Sequence, residues 1–330
     1  MELNRKIRVA IVGVGGMGGV HFNIYCKKTD IELVAACDLR IDMLREKAKK
    51  NGREDVTLYA DYDEMLAKEK PDMVDICTPT YLHAEMAIKA MRAGAYALSE
   101  KPMALNSGLT EQILAAEKET GKFYMTAQVV RFMTPYRYLK DVIDSKKYGN
   151  PVHVMMYRMS QGPAWGTGNW YLQEEKSGLV MLDLMIHDID FMQYAFGKPK
   201  SIDGAYHPLR DGSNSATAVY LYDGFTVTIE TGWFQAAIPF HADFYAVFDK
   251  GWVESRNGAI YDCGKPVEIP REGVTGETGI NISNVDGYET EINEFIEAVR
   301  TGVRPTTVPS ESSAYTIRLV EETRKAMKNF

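Results

Sequence analysis

The sequence predicts an α/β protein of two domains: an N-terminal doubly wound parallel sheet over residues 1–126, then a C-terminal α+β domain over 127–330 with a large, open, mostly antiparallel sheet. Three observations carry that prediction. The apolar run Ile7 to Val12 breaks into Gly13-x-Gly15-x-x-Gly18 and resumes with a helical pattern. Short apolar runs then alternate with helical stretches as far as Thr126, as parallel strands joined by crossover helices do. Beyond Ala127 the texture changes to long alternating runs such as Phe225-Thr226-Val227-Thr228-Ile229-Glu230, which suit a sheet with one covered face. At 330 residues the chain is long enough for two cores.

The first run suits a strand buried on both faces, and its glycine spacing suits the turn from that strand into a helix beneath a pyrophosphate. Gly13 permits the tight turn, Gly15 lets the backbone approach the phosphates, and Gly18 lets helix and strand pack closely. Gly16 and Met17 open the helix, whose N–H groups and partial positive charge favour an anion. The next strand, Ile31 to Cys37, ends in Asp38, twenty residues after Gly18, where a carboxylate can accept hydrogen bonds from an adenosine ribose. The competing role for Asp38 is to cap a helix starting near Ile41. Strand, glycines, helix and acid in this order favour a Rossmann dinucleotide site. A carboxylate there repels a 2′-phosphate and so favours NAD over NADP, while Arg40 pulls the other way.

The remaining elements follow in order. Asp42 to Lys50 reads as a helix, Thr57 to Tyr59 as a strand, and Asp61 as the cap of a helix through Lys68. Met73 to Cys77 is a strand stopped by Thr78-Pro79, and Thr80 is placed to cap a helix running to Ala93. Ala95 to Leu98 forms a strand ending in Ser99-Glu100-Lys101-Pro102; a helix from Asn106 to Thr120 leads to the strand Phe123 to Thr126. Ligands of such sheets lie beyond the carboxyl ends of the strands, where Gly13, Asp38, Thr78 and Lys101 all fall. In the second domain, a helix Tyr136 to Lys146 precedes the strand Val152 to Arg158, a Gly/Trp/Tyr-rich loop, and a helix Leu179 to Phe196. Strands follow at Ser215 to Tyr222, Phe225 to Trp233, Phe240 to Phe248 and Trp252 to Ser255, with Asp223-Gly224 as a hairpin signal. Helices at Tyr288 to Arg300 and Ser310 to Lys328 close the chain. The free face of the open sheet is expected to be a subunit interface, making the protein a homo-oligomer, a dimer or tetramer.

Composition narrows the function classes. The net charge is −7, without a dense Lys/Arg run, so the footprint of a nucleic-acid binder is missing. No apolar run is long enough to span a bilayer, and the first residues lead straight into a strand, so a cytoplasmic location is expected. The four cysteines, Cys26, Cys37, Cys77 and Cys263, form no CxxC pair and read as buried free thiols.

The sharpest chemical signal is Asp183-Leu184-Met185-Ile186-His187-Asp188-Ile189-Asp190. On a helix Asp183 and His187 are one turn apart and Asp190 is three residues beyond His187, so the three share a face among apolar neighbours. A carboxylate beside histidine orients its ring and raises its pKa, giving an acid/base group near neutrality. A core histidine satisfied by its neighbour fits the same pattern. A metal pair is disfavoured, because no third ligand of recognisable spacing accompanies it. Asn169, Trp170 and Tyr171 read either as a packed loop or as a platform for sugar rings.

The glycine loop, Asp38, Thr78-Pro79 with His83, Glu100-Lys101-Pro102, and Asp183-x-x-x-His187 with Asp190, in that order and spacing, resemble the Gfo/Idh/MocA oxidoreductases across nearly the whole chain. The helix around His187 is most similar to inositol dehydrogenases and related sugar dehydrogenases. The resemblance implies a Rossmann domain that binds NAD(P) through Gly13, Gly15, Gly16, Met17, Gly18, Asp38, Arg40, Thr78, Pro79, His83, Glu100 and Lys101. It implies a catalytic set of Lys101, Asp183 and His187, with Arg131 and Asp190 as substrate contacts; Asn169 and Trp170 are further candidate contacts if their loop is a sugar platform, and no metal is expected. Ser177-Gly178-Leu179 departs from the run of glycines that many members carry there. The implied activity is NAD-dependent oxidation of a secondary alcohol of a cyclic polyol or sugar. The alternatives are an NAD-dependent glycosidase using transient oxidation and a non-catalytic NAD-binding sensor.

Overall fold

The structure, a computed structural model, describes residues 5–164, 166–268 and 285–330. The chain divides into two compact units, Met1–Gln128 with Tyr288–Ala314, and Val129–Gly287 with Tyr315–Phe330. The expected boundary at 126/127 therefore moves only slightly, but the segment 288–314 belongs with the first unit. Phe295 is fully buried and meets Phe123 edge-on with ring centroids 5.8 Å apart, and Ser310 Oγ donates to the buried Glu117 at 2.6 Å.

The first unit contains β1 (Ile7–Val12), α1 (Met17–Lys27), β2 (Ile31–Cys37), α2 (Ile41–Lys50), β3 (Thr57–Tyr59), α3 (Tyr62–Glu69), β4 (Met73–Ile76), α4 (His83–Arg92), β5 (Tyr96–Glu100), α5 (Ser107–Thr120) and β6 (Tyr124–Ala127). Its six strands are all parallel in the order β3-β2-β1-β4-β5-β6. Ile7, Val9, Ala10 and Ile11 are wholly buried, as a central strand covered on both faces requires. Asp61 caps α3 by accepting from the Glu64 N–H, and Asn106 does the same for α5 from Leu109. Thr80 does not cap α4: it opens a single 3-10 turn, Thr80–Leu82, and α4 starts at His83 without a side-chain cap.

The second unit contains α6 (Thr134–Asp144), β7 (Pro151–Gln161), α7 (Glu174–Ser177), α8 (Ile186–Phe196), β8 (Ser201–Arg210), β9 (Ser213–Leu221), β10 (Thr226–Phe234), β11 (His241–Phe248), β12 (Gly251–Arg256), β13 (Ala259–Asp262) and β14 (Lys265–Pro266). Near the C-terminus come α9 (Val285–Thr301), α10 (Ser310–Ala326) and β15 (Met327–Asn329). The nine strands are ordered β14-β13-β12-β11-β7-β10-β9-β8-β15, antiparallel except where β7 pairs with β10 and β8 with β15. One face is sealed: Val253, Ala246, Val154, Val227 and Tyr220 lie in register across five strands, and none is exposed. On the other face Trp252, Val247, His153, Thr226 and Leu221 form the matching row, and Leu221 is 42% exposed. β8, β13, β14 and β15 were not foreseen, and the last helix gives way to β15 where it was expected to run through Lys328. Cys263 is exposed, against the expectation of four buried thiols.

Candidate active site

In the first unit the glycine loop follows β1. Gly13 has φ +83°, and a Cβ there would lie 2.6 Å from Cys77 O; at Gly18 it would lie 1.8 Å from Gly13 O. These two glycines are required by the fold itself. At Gly15, by contrast, a Cβ would meet only the Arg40 guanidinium, at 3.3 Å. The backbone there is open to a close approach. α1 begins at Met17 with Gly16 before it, takes no side-chain cap and carries no acidic residue in its first turn. Its N-terminus keeps its positive character for an anion. A brace absent from the sequence reading is Lys47 of α2, whose ammonium donates to Val14 O and Gly15 O, both at 2.7 Å; burial and the nearby Arg40 lower its pKa.

Asp38 lies at the carboxyl end of β2. One carboxylate oxygen accepts the Val14 N–H at 2.9 Å, and the other accepts the Arg40 N–H at 2.9 Å and Nε at 3.2 Å. The capping alternative falls away, since α2 has Arg40 before it and no side-chain cap. At the carboxyl end of β4, Thr78 Oγ1 is buried with no hydrogen-bond partner among the described residues. An orphaned hydroxyl beside an uncapped helix and an open Gly15 fits a bound dinucleotide. Pro79 follows in extended backbone. His83 is 1% exposed, with Nδ1 2.8 Å from Pro102 O and Nε2 2.8 Å from Thr78 O; burial lowers its pKa. It braces Thr78 against Pro102, with both ring nitrogens engaged by backbone carbonyls, so its place beside the expected cofactor site is a supporting one. Glu100, buried at the end of β5, accepts the Lys101 backbone N–H at 3.1 Å, and the half-buried Lys101 precedes Pro102 through a cis peptide bond.

In the second unit the expected helix from Leu179 is modified. Leu179 has φ +55°, its N–H bonds to Ser177 Oγ at 2.9 Å, and residues Met181–Met185 form a wide π turn before α8. Asn214 on β9 anchors this start by accepting the Val180 N–H at 3.0 Å. The step from Asp183 to His187 thus crosses from the wide turn into α8, where four-residue spacing no longer aligns side chains as in a uniform helix. Both residues are half-buried. Asp190 does not share that setting. It is wholly buried in a bidentate pair with Arg131, both contacts 2.7 Å, and also accepts from Thr316 at 2.8 Å. Arg131 in turn lies over the Tyr194 ring at 4.6 Å. A second buried pair, Arg158 with Asp188 at 3.0 Å, flanks the same helix and was missed, because its partners are thirty residues apart in sequence. Asn169 is exposed with φ +52°, and Trp170 is half-buried with its ring stacked on Tyr171 at 3.8 Å.

Comparison with known proteins agrees with both folds. Residues 7–128 match the model of the oxidoreductase family with an NAD-binding Rossmann fold, and residues 136–254 match the GFO/IDH/MocA C-terminal domain. A D-glucoside 3-dehydrogenase of Escherichia coli is 29% identical over 241 residues, 71% of this chain and 67% of that protein. The crystal structure of a myo-inositol 2-dehydrogenase from Lactobacillus plantarum superposes with a TM-score of 0.80 at 23% identity, covering 98% of this chain and 97% of its own. An oxidoreductase from Agrobacterium radiobacter, in complex with NAD+, L-tartaric acid and magnesium, gives 0.81 at 18% identity, covering 97% of this chain and 96% of its own.

Proposed function

The chain belongs to the GFO/IDH/MocA oxidoreductase family, and from that membership we propose that it is an NAD-dependent dehydrogenase oxidising a secondary alcohol of a cyclic polyol or sugar. The observation that carries the reading is Lys101, half-buried beyond the carboxyl end of β5 on the same sheet edge as the glycine loop, with its backbone tied down by Glu100. Gly15, Asp38, Thr78 and the α1 N-terminus would hold the dinucleotide, which when bound supplies the hydride acceptor. His187, at the start of α8 and preceded by Asp183 in the wide turn, takes the hydroxyl proton. Lys101 donates a hydrogen bond to the same oxygen and stabilises its developing negative charge. Arg131 and Asp190, sealed as a pair, hold the base of α8 in place; Asn169 and Trp170 are the substrate contacts of the loop before it.

The test is NAD+ reduction screened over inositols, aldoses and glycosides, with NADP+ alongside. His187→Ala should lower kcat by roughly a hundredfold or more with NADH binding, read by fluorescence, near its original value. Glycoside cleavage without net NADH would instead identify the glycosidase reading. Absence of turnover on every class, with NADH still bound, would identify a sensor.

A further inference from the structure

A dense cluster of buried titratable side chains lies in the first unit, around His21 of α1. His21, Asp75 and Glu291 are wholly buried, and Glu100 is 7% exposed. His21 Nδ1 lies 2.8 Å from Asp75 Oδ2, and Tyr25, one turn along the helix, donates to the same oxygen at 2.9 Å. Cys77 donates to Asp75 Oδ1 at 3.4 Å and sits 3.6 Å from Nδ1. Off the opposite edge of the ring, His21 Nε2 is 3.4 Å from Glu100 Oε1, an ion-pair approach and not a hydrogen bond, since Nε2 has no hydrogen-bond partner among the described residues; the second oxygen of Glu100 accepts the Lys101 backbone N–H. Tyr288 approaches the ring edge-on at 6.1 Å. One line of contacts thus runs from Asp75 through His21 and Glu100 to the backbone of Lys101.

Carboxylates at both edges decide the charge on the ring. A neutral imidazole donating to Asp75 would turn a lone pair toward the Glu100 carboxylate; the doubly protonated ring donates to Asp75 and faces Glu100 with a positively charged N–H. Burial works against that charge, but the Asp75 carboxylate at Nδ1 outweighs it, and the His21 pKa lies well above its ordinary value; burial pushes the Cys77 thiol far up, so it keeps its proton and adds no charge. Glu291 of α9 has neither carboxyl oxygen hydrogen-bonded among the described residues, and burial raises its pKa well above its ordinary value, favouring the neutral acid. Among the described residues, the carboxylates in contact with the ring are those of Asp75 and Glu100. The His21, Asp75 and Cys77 ligand atoms also lie within 4.8 Å of one another, but a metal there would displace the protons that join them.

We propose that His21, as an imidazolium held between Asp75 and Glu100, is a positioning residue for Lys101. It fixes the Glu100 carboxylate, which fixes the backbone from which the Lys101 side chain projects. The proposal rests on Lys101 acting in the chemical step. The experiment pairs NMR of the whole protein, labelled with 13C-histidine, with kinetics of three variants. His21 should keep imidazolium shifts from pH 6 to pH 8; a neutral ring at pH 7 overturns the proposal. His21→Gln, which can still donate to one carboxylate but carries no charge, should lower kcat by about tenfold to a hundredfold with KM and NADH affinity nearly unchanged, the signature of a misplaced catalytic group. Glu100→Gln keeps an acceptor for the Lys101 N–H but removes the charge paired with His21, and should lower kcat likewise while shifting the His21 signals. This second variant keeps the question open to test if His21→Gln fails to fold. A folded His21→Gln protein with unchanged kcat overturns the proposal, provided Lys101→Met has lost its activity; if Lys101→Met stays active, the mechanism itself is what fails.

Discussion

Asp38 works through both oxygens: one holds the glycine loop at Val14, the other holds Arg40. Replacing it with serine should therefore do two things. Removing the carboxylate releases Arg40 and abolishes the clash with a 2′-phosphate, so kcat/KM for NADP relative to NAD should rise by about tenfold, equivalent to ~1.4 kcal/mol. Loss of the charge-assisted bond to Val14 should also lower the melting temperature, through a net ~1.5–3 kcal/mol for a buried bond to a charged group. Equal use of both cofactors by the unaltered protein would remove the basis for that shift. Asp38 was legible because a strand end and a glycine spacing mark it. His21 and Lys47 were not, since their roles depend on partners such as Asp75, fifty-four residues away, and the Val14 and Gly15 carbonyls, about thirty-three residues away. Pairings of that range leave no periodic trace in a single sequence.

Among the elements, the first-unit strands follow the sequence closely because a strand covered on both faces must be a short apolar run, and such runs stand out. β8 escaped notice because Gly204 and Pro208 look like breakers. Gly204 is there for close approach, since a Cβ would lie 2.4 Å from Thr217 O, and Pro208 falls where the register with β9 shifts between His207 and Arg210. The wide turn before α8 was hidden for another reason, its origin being the anchor from Asn214 on a different strand. The glycine loop offers a test that separates architecture from binding. Gly18→Ala places a methyl 1.8 Å from Gly13 O and 2.9 Å from the Cys77 Cβ, so α1 cannot keep its seat, and the melting temperature and NADH binding should fall together. Gly15→Ala meets only the flexible end of Arg40, so the melting temperature should hold while NADH affinity drops by about tenfold or more. Scanning calorimetry and fluorescence titration of the two variants check this; an affinity unchanged by Gly15→Ala would place the phosphates elsewhere.

At the scale of the whole molecule, no helix among the described residues is long and apolar enough to cross a membrane, and one face of the nine-stranded sheet carries exposed apolar side chains such as Met155 and Leu221. Met155 sits on that face, 36% exposed, in register with Tyr245 of β11 on one side and Thr228 of β10 and Val219 of β9 on the other. Tyr245 stacks on Trp252 with ring centroids 5.4 Å apart, so an aromatic pair lies beside the exposed methionine. An apolar strip across the middle of a broad sheet, with its edges closed by the short strands β14 and β15, suits an isologous contact in which the same face of a second copy covers it. Met155→Arg puts a charge at the centre of such a contact and leaves the sealed face untouched, because the side chains of neighbouring residues point to opposite sides. The expected result by light scattering is a dimer or tetramer for the unaltered protein and a smaller species for Met155→Arg, with circular dichroism unchanged. A variant with the same mass as its parent would show that subunits meet through another surface, or that the protein works as a single chain.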